Sequence, residues 1–198
     1  MADTATMKPP DESWRLFIAI ELPATLRTRV QDHIDQLKKA SPDARASWTR
    51  EENLHLTIRF LGDTPVNRVE ALSQAAARAA AQVSPFEVII GGCGAFPTRG
   101  QPRVLWIGIE DPTGAQNKLY RALEDECARA GFPREARPFH PHLTIARLRQ
   151  PHGARRLVEL HDEIGFDPVP VNVSDVCLIR SELKREGSRY TVISRHAL

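Results

Sequence analysis

The chain has 198 residues, of which 41% are hydrophobic and 26% charged, with a mean hydropathy of −0.36. That suits one compact domain or two closely packed lobes, and no apolar run approaches the ~20 residues of a membrane span. A net charge of +2 excludes a strongly basic nucleic-acid coat, though not a local basic patch on a polyanion-binding face.

Residues 1–13 are polar, contain Pro9-Pro10 and lack the basic-then-apolar order of a signal peptide, so they read as a disordered leader. Residues 14–198 read as a single domain. Leu16 to Ile20 is a short apolar run that suits a buried strand. Ala24 to Ala40 carries Leu26, Val30, Ile34 and Leu37 at helical spacing. Ser47 to Thr49 suits a brief strand. Leu54 to Leu61 is a longer one, closed by Gly62-Asp63. Thr64 and Pro65 suit the N-cap and first position of a helix reaching about Val83.

Phe86 to Phe96 predicts a strand, with Gly91-Gly92 marking a bulge. Val104 to Ile109 predicts another. Leu119, Leu123 and Cys127 mark a third helix that ends near Gly131. Pro133 to Pro141 is irregular and basic. His142 to Leu148 is a strand, and His152 to Ile164 a short helix. Phe166 to Arg180 predicts one long strand interrupted by Pro168 and Pro170, and Ser188 to His196 a last one.

One word occurs twice in this order: His55-Leu56-Thr57-Ile58 and His142-Leu143-Thr144-Ile145. Residues two apart on a strand share a face, so each word presents one imidazole and one hydroxyl together. A helix follows each word, which suggests an internal duplication of two α+β lobes. Imidazole titrates near pH 7 unaided, so two of them could take and give protons on opposite sides of a phosphodiester. Thr57 and Thr144 could donate hydrogen bonds to phosphate oxygens. Arg147, five residues past His142, could bind one bidentately. No carboxylate cluster, Walker loop, GxSxG or GxGxxG accompanies the words.

Other residues read more plainly. His140 and His142 could chelate a metal as a His-x-His pair, but no third ligand is evident, and the metal-free reading is preferred. Cys93, Cys127 and Cys177 show no metal-binding spacing and fit a reducing compartment. Phe17, Trp48 and Trp106 read as core, although Phe17 lies on a strand that could border the cleft. Arg155-Arg156 reads as a solvated helix face. His33, His152, His161 and His196 have no patterned neighbours.

These motifs resemble the two-histidine (2H) phosphoesterase superfamily, and within it the RNA 2′,3′-cyclic phosphodiesterase branch, also called 2′-5′ RNA ligase. The similarity rests on Arg15–Pro23, Asn53–Gly62, Arg103–Gly108, Arg137–Arg147, Ser181–Leu183 and Tyr190, which together span about Trp14 to Leu198. The resemblance implies an α+β bilobal fold: two pseudo-symmetric lobes, antiparallel sheets lining a central cleft, and helices outside. It implies metal-independent hydrolysis of RNA terminal 2′,3′-cyclic phosphates to 2′-phosphates, with no cofactor. His55 is then the general acid and His142 the general base, with Thr57, Thr144 and Arg147 on the phosphate. The reverse reaction, 2′-5′ joining of RNA ends, is also ascribed to the branch. RNA 3′ ends or cyclic nucleotides are the expected substrates, with no membrane or obligate protein partner. The expected form is a cytoplasmic monomer.

Overall fold

The computed structural model describes residues 12–185 and 187–198. The leader prediction for residues 1–11 lies outside them. In chain order the elements are β1 (Ser13–Glu21), α1 (Ala24–Ala40), β2 (Ala46–Trp48), β3 (His55–Pro65), α2 (Val69–Ala80), β4 (Phe86–Phe96) and β5 (Val104–Glu110). They continue with α3 (Ala115–Arg129), β6 (His142–Leu148), α4 (Ala154–Ile164), β7 (Val169–Val173), β8 (Asp175–Lys184) and β9 (Gly187–Ala197). The strands form two antiparallel sheets, ordered β3-β1-β8-β9 and β2-β6-β5-β4-β7. Helices α2 and α3 back the first sheet, while α4 lies on β4 of the second with α1 beside it. The fold is α+β and bilobal, with one repeated word in each sheet. No helix among the described residues is long and apolar enough to cross a membrane.

Strand β1 shows why a continuous apolar run was needed. It lies between β3 and β8, and both of its faces are covered. Leu16, Ile18 and Ile20 join the main core on the helix side. Phe17 and Ala19 join Cys177 and Ile179 in a small separate cluster on the other side. Helix α1 buries the stripe of Leu26, Val30, Ile34 and Leu37 that its periodicity predicts.

Three predictions need correction. Phe166 to Arg180 is not one strand. β7 pairs with β4 in one sheet and β8 with β1 in the other, and the chain crosses between lobes at Ser174. A continuous apolar pattern cannot show such a crossing. Pro170 is tolerated because β7 is an edge strand. Thr64 is not a helix cap. Gly62, at φ +69°, makes a local irregularity rather than an end, and β3 runs on to pair Thr64 with Trp14 and Pro65 with Ser13. The Thr64 hydroxyl bonds the Gly62 carbonyl instead, and α2 begins at Val69. Finally, Ser13 belongs to β1 rather than to the leader.

Candidate active site

Both words lie on strands in the predicted orientation. In β3, Leu56 and Ile58 are buried, whereas His55 and Thr57 are only partly so; in β6, Leu143 and Ile145 are buried against partly exposed His142 and Thr144. The strands belong to different sheets but approach one another. A short tether draws them together. Thr49, just beyond β2, donates its backbone N–H to the Ile145 carbonyl (2.9 Å) and its hydroxyl to the Thr144 carbonyl (3.0 Å). Six residues later the chain enters β3 at His55.

The two imidazoles are held alike. His55 Nδ1 lies 2.7 Å from the Asn53 carbonyl, and His142 Nδ1 lies 2.7 Å from the His140 carbonyl. A carbonyl only accepts, so each Nδ1 carries the proton and donates it. That leaves Nε2 of both rings as the atom that can take or give a proton. His55 Nε2 sits 3.1 Å from the Thr57 hydroxyl, which donates to it while the ring is neutral.

Their surroundings differ. Phe17 lies tilted against His55 with centroids 4.7 Å apart, and Tyr190 meets the same ring edge-on at 5.1 Å. This desolvation pushes the His55 pKa down to about 4, opposed weakly by its hydrogen bond to Asn53 and by the charge of Glu21. Glu21, opposite His55 in the sheet, is itself ion-paired with Arg195. Among the described residues, His142 has one aromatic neighbour, Phe96, edge-on at 5.2 Å. Phe96 in turn lies 5.2 Å from the Trp106 ring. Trp106 is therefore not a core residue as predicted. It stands opposite Thr144 on β5, and its indole lies across Gly94, where an added Cβ would come within 2.2 Å of the ring. Phe17 likewise faces the site rather than the main core.

A β-bulge places Arg147. Residues five apart on a regular strand point to opposite faces. The β5–β6 register slips at Ile145, so Leu105 opposes Ala146 and Trp106 opposes Thr144. Ile145 and Ala146 are then both buried, and Arg147 emerges exposed on the side of His142 and Thr144. The same slip occurs in β3 at Ile58, burying both Ile58 and Arg59 and turning Phe60 outward beside Thr57. The word and its bulge are thus repeated as a unit, with Phe60 standing where the other lobe has Arg147. Arg59 turns to the helix side. It pairs with buried Glu124 at 2.6 Å and donates to the carbonyls of Leu123 and Pro133.

The remaining predicted residues lie elsewhere. His140 is exposed and contributes its carbonyl to His142. Arg156 pairs with Glu159 and Glu163 on the outer face of α4. His33 and His161, given no role by the sequence, are buried and hydrogen-bonded to each other across 128 residues. Sequence reasoning missed Tyr190 and Phe96 as neighbours of the imidazoles. Their alternation on β9 and β4 was a signal, but the pairing that brings them to the site is tertiary.

Two antiparallel lobes, each presenting a histidine and a threonine on a bulged strand, define a paired-histidine acid–base site. The profile of the 2′-5′ RNA ligase superfamily matches residues 24–185, and the chain belongs to that family. An RNA 2′,3′-cyclic phosphodiesterase of Methanothermobacter thermautotrophicus is 36% identical over 89% of this chain and 95% of its own length. One of Escherichia coli is 30% identical over 94% and 98%. Among solved structures, a Thermus thermophilus protein superposes with a TM-score of 0.75 at 29% identity, covering 93% of this chain and 97% of its own. Escherichia coli LigT complexed with 3′-AMP superposes with a TM-score of 0.72 at 30% identity, covering 94% and 99%.

Proposed function

We propose that this chain hydrolyses the 2′,3′-cyclic phosphate at an RNA 3′ end to a 2′-phosphomonoester, using its own side chains for both proton transfers. The observation that carries this is the matched locking of His55 and His142 through Nδ1, on two strands that approach one another, which leaves Nε2 of each ring to exchange a proton. His142 Nε2 takes a proton from the attacking water as its oxygen bonds to phosphorus. The P–O3′ bond breaks, and His55 Nε2 gives its proton to the leaving 3′ oxygen. Exchange with solvent restores both rings. The Thr57 and Thr144 hydroxyls and the Arg147 guanidinium hold the non-bridging oxygens.

The low pKa of His55 sets a condition on this division of labour, because the ring must gain a proton before it can act as the acid. In the free enzyme the ring is neutral. A bound phosphodiester anion beside it favours the imidazolium, so the substrate itself arms the acid. With a 5′ hydroxyl in place of water, the same two histidines in the same roles would join RNA ends: the O5′–P bond forms as His142 takes the hydroxyl proton, and the P–O3′ bond breaks as His55 protonates the leaving 3′ oxygen, leaving a 2′-5′ linkage. Both words sit in one polypeptide, which suits action as a monomer. Three unpaired cysteines suit the reducing cytoplasm.

A hollow of about 320 Å³ is lined by Arg50, Glu52, Asn53, Lys184, Arg189 and by Tyr190, the residue that also meets the His55 ring; Glu52 pairs with Arg50, and the three cations outnumber it. Its cationic wall favours a strand that continues upstream of the reacting end over a lone mononucleotide. The test is turnover of 2′,3′-cyclic AMP and of a cyclic-phosphate RNA oligomer by EDTA-treated protein, with the phosphate position read out. A 2′-phosphate from both, with the higher kcat/KM on the oligomer, is expected. Binding without turnover, or a 3′-phosphate product, would overturn the proposal.

A further inference from the structure

Behind the second sheet, on the side away from the cleft, three elements bring His33, Cys93 and His161 together with their ligand atoms within 4.8 Å of one another. His33 comes from α1, Cys93 from β4 and His161 from α4. Cys93 reaches this side because of a bulge. Gly92, at φ +71°, is inserted between Gly91, which opposes Gly108, and Cys93, which opposes Ile107. Without the extra residue Cys93 would point into the cleft; with it, the thiol lies among core side chains on the helix side. His161 is fully buried, and its Nε2 donates to the Trp106 carbonyl at 3.0 Å. This fixes the tautomer and leaves a lone pair on Nδ1, which faces His33 Nε2 at 2.9 Å. A backbone carbonyl on the far ring nitrogen is also the usual way a metal-ligating histidine is oriented.

We propose that His33 Nε2, Cys93 Sγ and His161 Nδ1 form a binding site for a zinc-like cation, distinct from the paired-histidine cleft. Two imidazoles and a thiolate select zinc over magnesium or calcium, which prefer oxygen ligands. On binding, the thiol releases its proton to solvent, and the His33 proton moves from Nε2 to Nδ1 by exchange. The ring-to-ring hydrogen bond gives way to two N–metal bonds and one S–metal bond, and water takes the fourth position. Only the thiol proton is lost, so one proton leaves per cation bound. The cation would tie α1 and α4 to β4 and leave the chemistry of the cleft alone.

The test is titration of the whole protein with Co²⁺, followed by displacement with Zn²⁺. A thiolate ligand gives Co²⁺ an intense near-ultraviolet charge-transfer band that imidazole-only sites on the surface lack. The expected result is one equivalent bound with that band, displaced by Zn²⁺ and not by Mg²⁺. Cys93→Ser should abolish the band and weaken Zn²⁺ binding more than about 100-fold, beyond the range usual for losing an orienting partner alone. Turnover of cyclic phosphate should stay unchanged. No band, or a band that survives in Cys93→Ser through Cys127 or Cys177, would overturn the site. If Cys93→Ser fails to fold, wild-type crystals soaked in ZnCl₂ decide the matter. An anomalous peak among the three side chains supports the proposal. A peak only at surface imidazoles such as His140, or none, refutes it.

Discussion

In β3 and β6 alike, a histidine locked through Nδ1 is followed by a threonine on the same face and then by a one-residue bulge. Around that shared unit the lobes part. His55 is walled by Phe17 and Tyr190, and the residue after its bulge is Phe60. His142 is less enclosed, and the residue after its bulge is Arg147. The two repeated words supply imidazoles held alike, and on the proposed mechanism their surroundings give them different work. In the proposed mechanism the apolar lobe keeps its histidine neutral until an anion arrives, and the other brings the cation that holds the anion.

The largest effect should come from removing what the lobes share. His55→Ala and His142→Ala should each lower turnover of 2′,3′-cyclic AMP by about 10²–10⁴-fold, the usual value of one acid–base group. Next comes the bulge residue turned inward. Arg59→Ala leaves the Glu124 carboxylate buried without its partner, which should cost about 3–5 kcal/mol in a urea melt. The corresponding Ala146 makes no such pair, so Ala146→Ser should cost clearly less.

The outward residues should separate the lobes by kinetics. Arg147→Ala loses a charge-assisted contact worth about 1.5–3 kcal/mol, so kcat/KM should fall roughly 10- to 150-fold. Phe60→Ala, which removes no charge from the phosphate site, should cost less than that. The smallest effect concerns protonation. Phe17→Ala should raise the His55 pKa from about 4 towards 6.5, followed by NMR titration of the ring. Folding favours neutral His55, so stability fully present above about pH 6.5 is lost as pH falls towards 4. His55→Gln should flatten that part of the pH–stability curve.

The faces of the two words were legible because strand periodicity needs no tertiary information. Leu56, Ile58, Leu143 and Ile145 went inward as their alternation required. Arg147 was legible as a candidate through proximity and through the resemblance carried by Arg137–Arg147, since its spacing alone puts it on the wrong side. The bulge that corrects this is created by pairing with Leu105 and Trp106. Trp106 looked like core because a tryptophan in an apolar strand usually is; its place opposite Thr144, beside Phe96 and over Gly94, shows otherwise. The split between β7 and β8 was hidden because both halves are apolar and the crossing residue, Ser174, carries no distinctive turn signal. The meeting of His33 with His161 depends on two helices 128 residues apart, which no local pattern encodes.

The central claim is that the repeated words are two halves of one machine, and a double-mutant comparison tests it most directly. Residues that act in one step are strongly non-additive. The account predicts that His55→Ala/His142→Ala, assayed on a cyclic-phosphate RNA oligomer after EDTA treatment, is scarcely slower than the worse single variant. Losses that simply multiply, or a single variant that turns over like the wild type, would contradict it.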